Sequence, residues 1–224
     1  MSALWNSYGS QILTALGQHL FLVGVSLVLG VIVAVPLGVL LTRFSRWAAP
    51  IITVVSIVQT IPSLVFFALL IPFLGIGLQP AIIVLFLYSL LPILRNTYIA
   101  LRSVDPTLID ASRGQGMTSW EILYMVELPL SAPIIVAGIR LSAIYLVSWA
   151  TIAALIGAGG LGDLIFSGID SEDTGLLLAG AIPTALLALI VGFVFGRVRS
   201  LITPRGLKAE AVVKGDLRTE VVTG

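Results

Sequence analysis

The sequence predicts an all-α integral membrane protein with five transmembrane helices, its N-terminus outside and its C-terminus in the cytoplasm. Hydrophobic residues make up 58% of the 224 residues and charged residues only 10%, whereas about a quarter of an average soluble domain is charged. Long charge-free segments lie between Arg46 and Arg95, between Arg140 and Asp163, and between Asp173 and Arg197. A helix needs about 20 apolar residues to cross the hydrocarbon core, so these segments are predicted spans, and the first can hold two.

The N-terminal segment, residues 1–19, is expected at the outer surface of the membrane. Residues 2–18 place several apolar or aromatic side chains near one helical face: Leu4, Trp5, Tyr8, Ile12 and Leu16. This pattern is typical of a short helix that lies at the membrane surface with its aromatic rings at headgroup level. A frayed hydrophobic terminus is the alternative. His19, at the outer end of the first span, is expected to be an interfacial histidine.

The first three spans are predicted at residues 20–41, 51–74 and 81–94. Span 1 contains Pro36, for which a local kink is expected. The middle of span 2 is a polar insert with a proline, which predicts a distorted helix whose polar side chains face protein or water; it reads Gln59, Thr60, Ile61, Pro62, Ser63. Span 3 is short for a full crossing and is expected to continue toward Leu101.

The last two spans are predicted at residues 132–156 and 176–195, and a tail at 199–224 is expected to be partly disordered. The GAGGLG stretch at 157–162 formally matches a dinucleotide-binding pattern, but it follows a membrane helix instead of a strand, so it predicts a tight turn. The remainder of the 157–174 segment is expected to be a solvated outer loop; its acids are Asp163, Asp170, Glu172 and Asp173. Their spacing fits no Ca²⁺ loop, and no metal site is expected.

The distribution of basic residues sets the predicted orientation. Apart from Arg140 inside span 4, the arginines follow spans 1, 3 and 5 and both lysines lie in the tail, so the basic residues outside the spans fall on one side of the membrane. The other side receives the N-terminal segment, the turn at 75–80 and the acidic 157–174 loop, and it has no Lys or Arg. The positive-inside rule therefore places the basic side, including residues 110–129, in the cytoplasm.

Residues 110–129 form the longest polar interruption between the first and last hydrophobic spans. Apolar side chains nevertheless recur there at roughly helical intervals, which predicts a helix at the membrane surface: Ile109, Met117, Trp120, Leu123 and Tyr124. Small residues, among them Ala111, Ser112, Gly114 and Gly116, would let a partner surface approach closely.

Several functions are disfavoured by what the chain lacks. It has no P-loop, so it cannot bind ATP in that way, and the spans contain no acids for an ion relay. A membrane enzyme is disfavoured because the spans hold no nucleophile with a base, no carboxylate pair and no metal cluster. The absence of cysteine removes disulfides and thiol chemistry. Nothing in the sequence favours nucleic-acid binding.

Residues 110–129 resemble a known motif. Asp110, Ala111, Ser112, Gly116, Val126, Leu128 and Pro129 are similar, at the same spacing, to the EAA motif of the permease subunits of type I, binding-protein-dependent ABC importers. The mild departures are Asp110 for Glu, Ser112 for Ala and Val126 for Ile. In that family the motif forms a coupling helix that inserts into a groove of the ATP-binding subunit.

The resemblance implies a transmembrane permease domain at 20–198 with a coupling region at 105–129. The residues expected to contact the ATPase are Asp110, Ala111, Ser112, Gly114, Gly116, Met117, Trp120, Leu128 and Pro129. The resemblance also implies that the chain lies in a prokaryotic cell membrane. Its implied partners are a second permease subunit, which is the same or different, ABC ATPase subunits that bind ATP and Mg²⁺, and an extracellular or periplasmic substrate-binding protein. The chain itself is expected to be no enzyme and to hold no cofactor.

Two further stretches, residues 59–63 and 91–98, resemble the glycine betaine, carnitine and choline permeases, the osmoprotectant branch of this family. The expected path-lining residues are Gln59, Thr60, Pro62, Ser63 and Trp149, with core packing between helices as the alternative. An aromatic cage for a quaternary ammonium group is expected mainly on the binding protein. A permease for amino acids such as methionine and a passive, osmotically gated channel remain alternatives.

Arg140 is a charge inside span 4. It is expected either to extend its side chain toward the cytoplasmic surface or to pair with Glu121 or Glu127 and brace the surface helix.

Overall fold

The computed structural model describes residues 2–204, and within them the chain is entirely helical. The α-helices are α1 (Ser2–Arg43), α2 (Ala48–Thr60), α3 (Ser63–Leu74), α4 (Leu78–Arg102), α5 (Pro106–Gly114), α6 (Ser119–Ile122), α7 (Leu128–Ala153), α8 (Leu161–Asp170) and α9 (Thr174–Ile202). A π-helical segment, Leu123–Glu127, joins α6 to α7, and short 3₁₀ turns lie at Ser45–Trp47 and Ala154–Ile156. Of the predicted tail, residues 199–202 are the end of α9, and 205–224 lie outside the described residues.

Four of the described helical segments are long and apolar enough to cross a membrane: Ser7–Arg43, Leu78–Arg102, Ser119–Ile156 and Thr174–Ile202. The pair formed by Ser45–Thr60 and Ser63–Leu74 would be a fifth, but its two halves meet at 92°. An all-helical fold with four to five candidate spans is therefore confirmed.

Helix α4 lies at the centre of the fold, between α1 and α7, and α9 packs against α7 and α8. The larger core cluster joins α1, α4, α7 and α8, and Tyr88 of α4 is one of its largest fully buried side chains. A second cluster packs α1, α2 and α4 together around Leu41 and Leu94. Helix α4 includes Arg95 and ends at Arg102, so the predicted continuation of span 3 is confirmed.

The predicted separate helix within residues 2–18 is wrong, because α1 runs without a break from Ser2 to Arg43. At a rise of ~1.5 Å per residue it is ~63 Å long, about twice the hydrocarbon thickness of a membrane. Its N-terminal half is buried at Ala15, His19 and Leu22, which hold it against the protein. His19 is fully buried and hydrogen-bonds through Nε2 to the carbonyl oxygen of Val147 at 3.0 Å, so it is not interfacial.

Span 2 is broken at its polar insert. Helix α2 ends at Thr60 and α3 begins at Ser63, with Ile61 in an extended conformation before Pro62. Proline disfavours a helical conformation at the preceding residue and has no N–H for the helical ladder, which accounts for the break. The predicted distortion is confirmed, but the 92° turn makes α2 and α3 two nearly perpendicular helices.

The segment after α7 is more ordered than expected. The tight turn in GAGGLG is confirmed, since Gly157, Gly159 and Gly160 all have positive φ. The predicted outer loop is wrong for residues 161–170, which form α8. Apolar residues of α8, such as Leu161 and Leu164, are buried against the bundle, so this short helix is amphipathic and its acidic residues do not make it a loop.

Candidate functional site

The 110–129 stretch folds as two helices joined by a turn. Helix α5 begins with Pro106 at its first turn, and the Asp105 carboxylate accepts the Thr107 backbone N–H at 2.8 Å. The hydrogen bonds from the Thr107 N–H and hydroxyl hold the pKa of Asp105 below its usual range. The Asp105 cap thus fixes the start of α5.

The prediction of one continuous surface helix is wrong, because the chain turns at Gly116. This residue has a φ of 84°, a left-handed conformation that glycine adopts without steric cost. The next helix starts with a capping box, in which the Glu121 carboxylate accepts the Thr118 N–H at 2.6 Å and the Thr118 hydroxyl accepts the Glu121 N–H. Residues from Ser119 onward are therefore the start of a helical segment that runs on to Ile156.

Most of the predicted coupling residues are exposed on this helix–turn–helix. Asp110 and Ala111 are exposed on α5, and Asp110 pairs with Arg113 at 3.1 Å. Ser112 is buried, and its hydroxyl donates to the Leu108 carbonyl oxygen within α5.

The remaining predicted coupling residues lie at the surface or line a cavity. Gly114, Gly116 and Pro129 are exposed, Met117 and Leu128 are half-buried, and Trp120 is 67% exposed. The Trp120 ring stacks on Tyr124 with centroids 5.6 Å apart and planes at 15°. Trp120 and Leu128 also line a cavity of about 620 Å³ between this segment and the C-terminal part of α1, where Pro36 lies.

An ion pair joins the predicted coupling region to α1. The Arg43 guanidinium donates Nη2 to Glu127 Oε2 at 2.6 Å and Nη1 to Oε1 at 3.4 Å. The Glu127 side chain is only 6% exposed and the Arg43 side chain 41%. Glu127 ends the π-helical segment, just before Leu128 and Pro129. The pair therefore joins the end of the first long helix to the start of α7.

The predicted pairing of Arg140 with Glu121 or Glu127 is wrong. Glu127 pairs with Arg43, and Glu121 is held in the capping box. The guanidinium of Arg140 lies near Gly192 and Gly196 of α9, whose small size leaves room for it. The predicted orientation is the sequence feature that could have indicated this pair, because it places Arg43 and Glu127 on the same side of the membrane.

The break between α2 and α3 is held by Tyr88. Gln59 donates its side-chain amide to the Tyr88 carbonyl oxygen at 2.8 Å, and the Tyr88 hydroxyl donates to the carbonyl oxygen of Ile61. Trp149 of α7 packs edge-on against the Tyr88 ring, with centroids 4.8 Å apart. Two predicted path residues, Gln59 and Trp149, are thus brought together by Tyr88, which sequence reasoning missed.

The other predicted path residues lie around the break. Thr60 and Pro62 are exposed, and Ser63, the first residue of α3, is half-buried. The Thr60 hydroxyl donates to the Ile57 carbonyl oxygen at 2.7 Å within its own helix.

Comparison with known proteins identifies the family. A family model described as "Binding-protein-dependent transport system inner membrane component" matches residues 26–207. The chain belongs to this family. The resemblance drawn from the 110–129 motif is therefore confirmed, and the chain is the membrane component of a transport system, not an enzyme.

Named relatives match over nearly the whole chain. The chain is 52% identical over 200 residues to the carnitine transport permease protein OpuCB of Listeria monocytogenes, covering 89% of this chain and 92% of the relative. It is 48% identical over 208 residues to the glycine betaine/carnitine/choline transport system permease protein OpuCB of Bacillus subtilis, covering 93% of this chain and 96% of the relative. Among solved structures, an inward-facing MetNI methionine ABC transporter matches with a TM-score of 0.78 at 25% identity, covering 88% of this chain and 99% of that chain.

Proposed function

We propose that this chain is the permease subunit of an ATP-driven importer of osmoprotectants of the glycine betaine, carnitine and choline class. The observation that carries the proposal is the identity of 52% and 48% to two permeases named for these solutes, over almost the full length of each. Two permease subunits, alike or different, line the path, and a substrate-binding protein delivers the solute to the outer face. ABC ATPase subunits bind ATP and Mg²⁺ on the cytoplasmic face.

The proposed orientation has five crossings, with the N-terminus outside and the C-terminus in the cytoplasm of a prokaryotic cell. In this orientation the bent pair α2–α3 counts as one crossing, and the ends of α1, α4 and α9 that carry Arg43, Arg102 and Arg199 are cytoplasmic. The acidic segment with Asp170 and Asp173 is then outside, as the positive-inside rule requires.

Energy enters this subunit through the coupling region, residues 105–129. The support is a surface with exposed, closely approachable backbone at Ala111, Gly114 and Gly116 beside the exposed ring of Trp120. ATP-driven closure of the ATPase subunits moves this surface, and the Arg43–Glu127 pair and the continuous helical segment Ser119–Ile156 carry the movement to the spans.

The path is lined at the α2–α3 break. A chain break within a span is tolerated where it is buried in protein or borders a water-filled cavity, so polar groups at Gln59, Thr60 and Ser63 suit the wall of a path. Pro62 shapes the break, and Trp149 borders it from α7.

The substrate class is tested by competition. The complete transporter, reconstituted in liposomes with its binding protein, takes up labelled glycine betaine, and excess unlabelled carnitine, choline or methionine is added in turn. The proposal expects carnitine or choline to compete and methionine to have no effect. Competition by methionine alone would overturn the assignment in favour of an amino-acid permease.

The coupling role is tested by Gly116→Val with Gly75→Val as a matched control. Both glycines have positive φ, 84° and 76°, and at neither would an added Cβ meet any atom within 4 Å. A side chain is strained at positive φ, and Gly75, with a ψ of −164°, lies in a region that is essentially restricted to glycine, so the control also carries backbone strain. We expect only Gly116→Val to lose co-purifying ATPase. Equal retention of the ATPase by both variants would argue for a passive channel or for another coupling surface.

A further inference from the structure

The structure gathers four aromatic rings beside the α2–α3 break. Tyr145 and Trp149, one helical turn apart on α7, have centroids 5.4 Å apart; Trp149 and Tyr88 lie 4.8 Å apart, and Tyr88 and Phe66 5.8 Å apart. The three spacings define one aromatic cluster, built from α3, α4 and α7.

Stacking does not cover the ring faces in this cluster. The planes of Tyr145 and Trp149 are tilted by 50°, whereas the cytoplasmic pair Trp120 and Tyr124 lies nearly parallel at 15° and covers its own faces. Tyr145 is 42% exposed and Trp149 is half-buried, while Tyr88 is buried and supports them from behind. The cluster therefore presents an exposed Tyr145 ring and a half-buried Trp149 ring in front of the buried Tyr88 ring.

The exposed face of α7 around these rings differs from a lipid-facing surface. It carries Leu141, Tyr145 and Ser148, with polar atoms near the middle of a span. Between Leu178 and Val194, by contrast, the exposed large side chains of α9 are all apolar: Leu178, Leu186, Leu189, Ile190, Phe193 and Val194. Tyr145 lies 11 residues before Ile156, the end of this helical segment, which is ~16 Å at a rise of ~1.5 Å per residue and about half the ~30 Å hydrocarbon core.

A cation at this depth would find no carboxylate beside it. Helices α2 and α3 carry no charged residue, and α7 carries only Arg140, whose guanidinium faces α9. A quaternary ammonium group has no N–H to donate, and aromatic faces attract it without hydrogen bonds. A site of this kind holds a permeating cation weakly enough to release it, as a path requires.

We propose that Tyr145 and Trp149 form a cation–π subsite that receives the quaternary ammonium group of the solute half-way along the path. This inference rests on the proposed function, since it names a site for the same substrate class. Gln59 donates to the Tyr88 carbonyl oxygen, and the Tyr88 hydroxyl donates to the Ile61 carbonyl oxygen. These two bonds hold the break beside the Tyr88 ring that packs against Trp149.

The test removes the rings one at a time in the complete transporter, reconstituted with its ATPase and binding protein. Tyr145→Leu and Trp149→Leu remove a ring, Tyr145→Phe and Trp149→Phe keep one, and Phe21→Leu removes a 53% exposed ring from α1 as a control. We expect each ring-removing variant to lower kcat/KM for labelled glycine betaine roughly 5- to 30-fold, the range that a desolvated cation–ring contact supplies. The ring-keeping variants and the control should stay within about 3-fold of the unchanged protein.

Three outcomes separate the possible failures. If glycine betaine, carnitine and choline are not transported by the unchanged complex, the proposed function is wrong and the subsite falls with it. If they are transported, and both leucine variants transport as well as their phenylalanine counterparts, only the subsite is wrong. Substrate-independent ATPase activity reports on assembly of the complex. If Trp149→Leu fails to assemble, Tyr145→Leu alone tests the proposal, and unchanged uptake in Tyr145→Leu overturns it.

Discussion

The ion pair between Arg43 and Glu127 gives the most quantitative prediction of the fold. Removing Arg43 by Arg43→Gln leaves a carboxylate that is 6% exposed without its cation. Breaking a fully buried pair costs ~3–5 kcal/mol. Because the Arg43 side chain is itself 41% exposed, solvent screening reduces the expected loss in the free energy of unfolding to ~1–3 kcal/mol.

Glu127→Gln should cost less than Arg43→Gln, since it removes the buried charge and leaves a half-exposed guanidinium that water can solvate. The double variant Arg43→Gln with Glu127→Gln should be more stable than Arg43→Gln alone, because no unpaired charge remains buried. Thermal unfolding of the purified permease in detergent measures this, with a fall of roughly 2–4 °C per kcal/mol for a chain of this size.

Arg113→Gln serves as the control for this cycle. Its partner Asp110 lies at 3.1 Å, but the two side chains are 65% and 71% exposed, so the loss should be within ~0.5 kcal/mol. If Arg43→Gln unfolds at the same temperature as Arg113→Gln, or if the effects of the two single variants simply add in the double variant, the pair does not hold the π-helical segment to α1.

Three other substitutions test separate parts of the structure. Gly162→Ala would drive a Cβ into a backbone carbonyl of α7 and should lower the free energy of unfolding by ~1–3 kcal/mol. Its control is Gly17→Ala, which places no atom within 4 Å of the added Cβ and should be neutral or stabilising in the same thermal assay. Tyr88→Phe removes one hydrogen bond at the α2–α3 break and should cost ~0.5–1.5 kcal/mol, and no change in unfolding temperature would show that the break does not depend on it. Trp120→Ala should weaken ATPase binding in a pull-down about 10-fold or more if the ring is a hot spot, while Trp47→Ala, also an exposed tryptophan, should not.

The sequence was most informative where one strong physical constraint dominated. The cost of charge in hydrocarbon made the spans visible as charge-free segments, and Pro62 marked the distortion in span 2. The spacing from Asp110 to Pro129 indicated the family. These features depend on local sequence or on the membrane, and neither requires knowledge of which helices pack together.

The errors arose where tertiary contacts decided the outcome. Gly116 splits a stretch whose apolar spacing alone suggested one helix, because its positive φ is a property of the backbone that periodicity does not reveal. Arg43, not Arg140, pairs with Glu127, since the ends of α1 and the π-helical segment meet only in the packed bundle. The aromatic cluster joins residues from three helices, and no single segment predicts it.

Uptake of labelled glycine betaine into liposomes that contain the complete transporter tests the central claim most directly. The binding protein is supplied outside, and the lumen holds either ATP with Mg²⁺ or no nucleotide. The account predicts accumulation above the external concentration only with ATP, with methionine in excess having no effect. Equal uptake without nucleotide, or accumulation of methionine in place of glycine betaine, would contradict it.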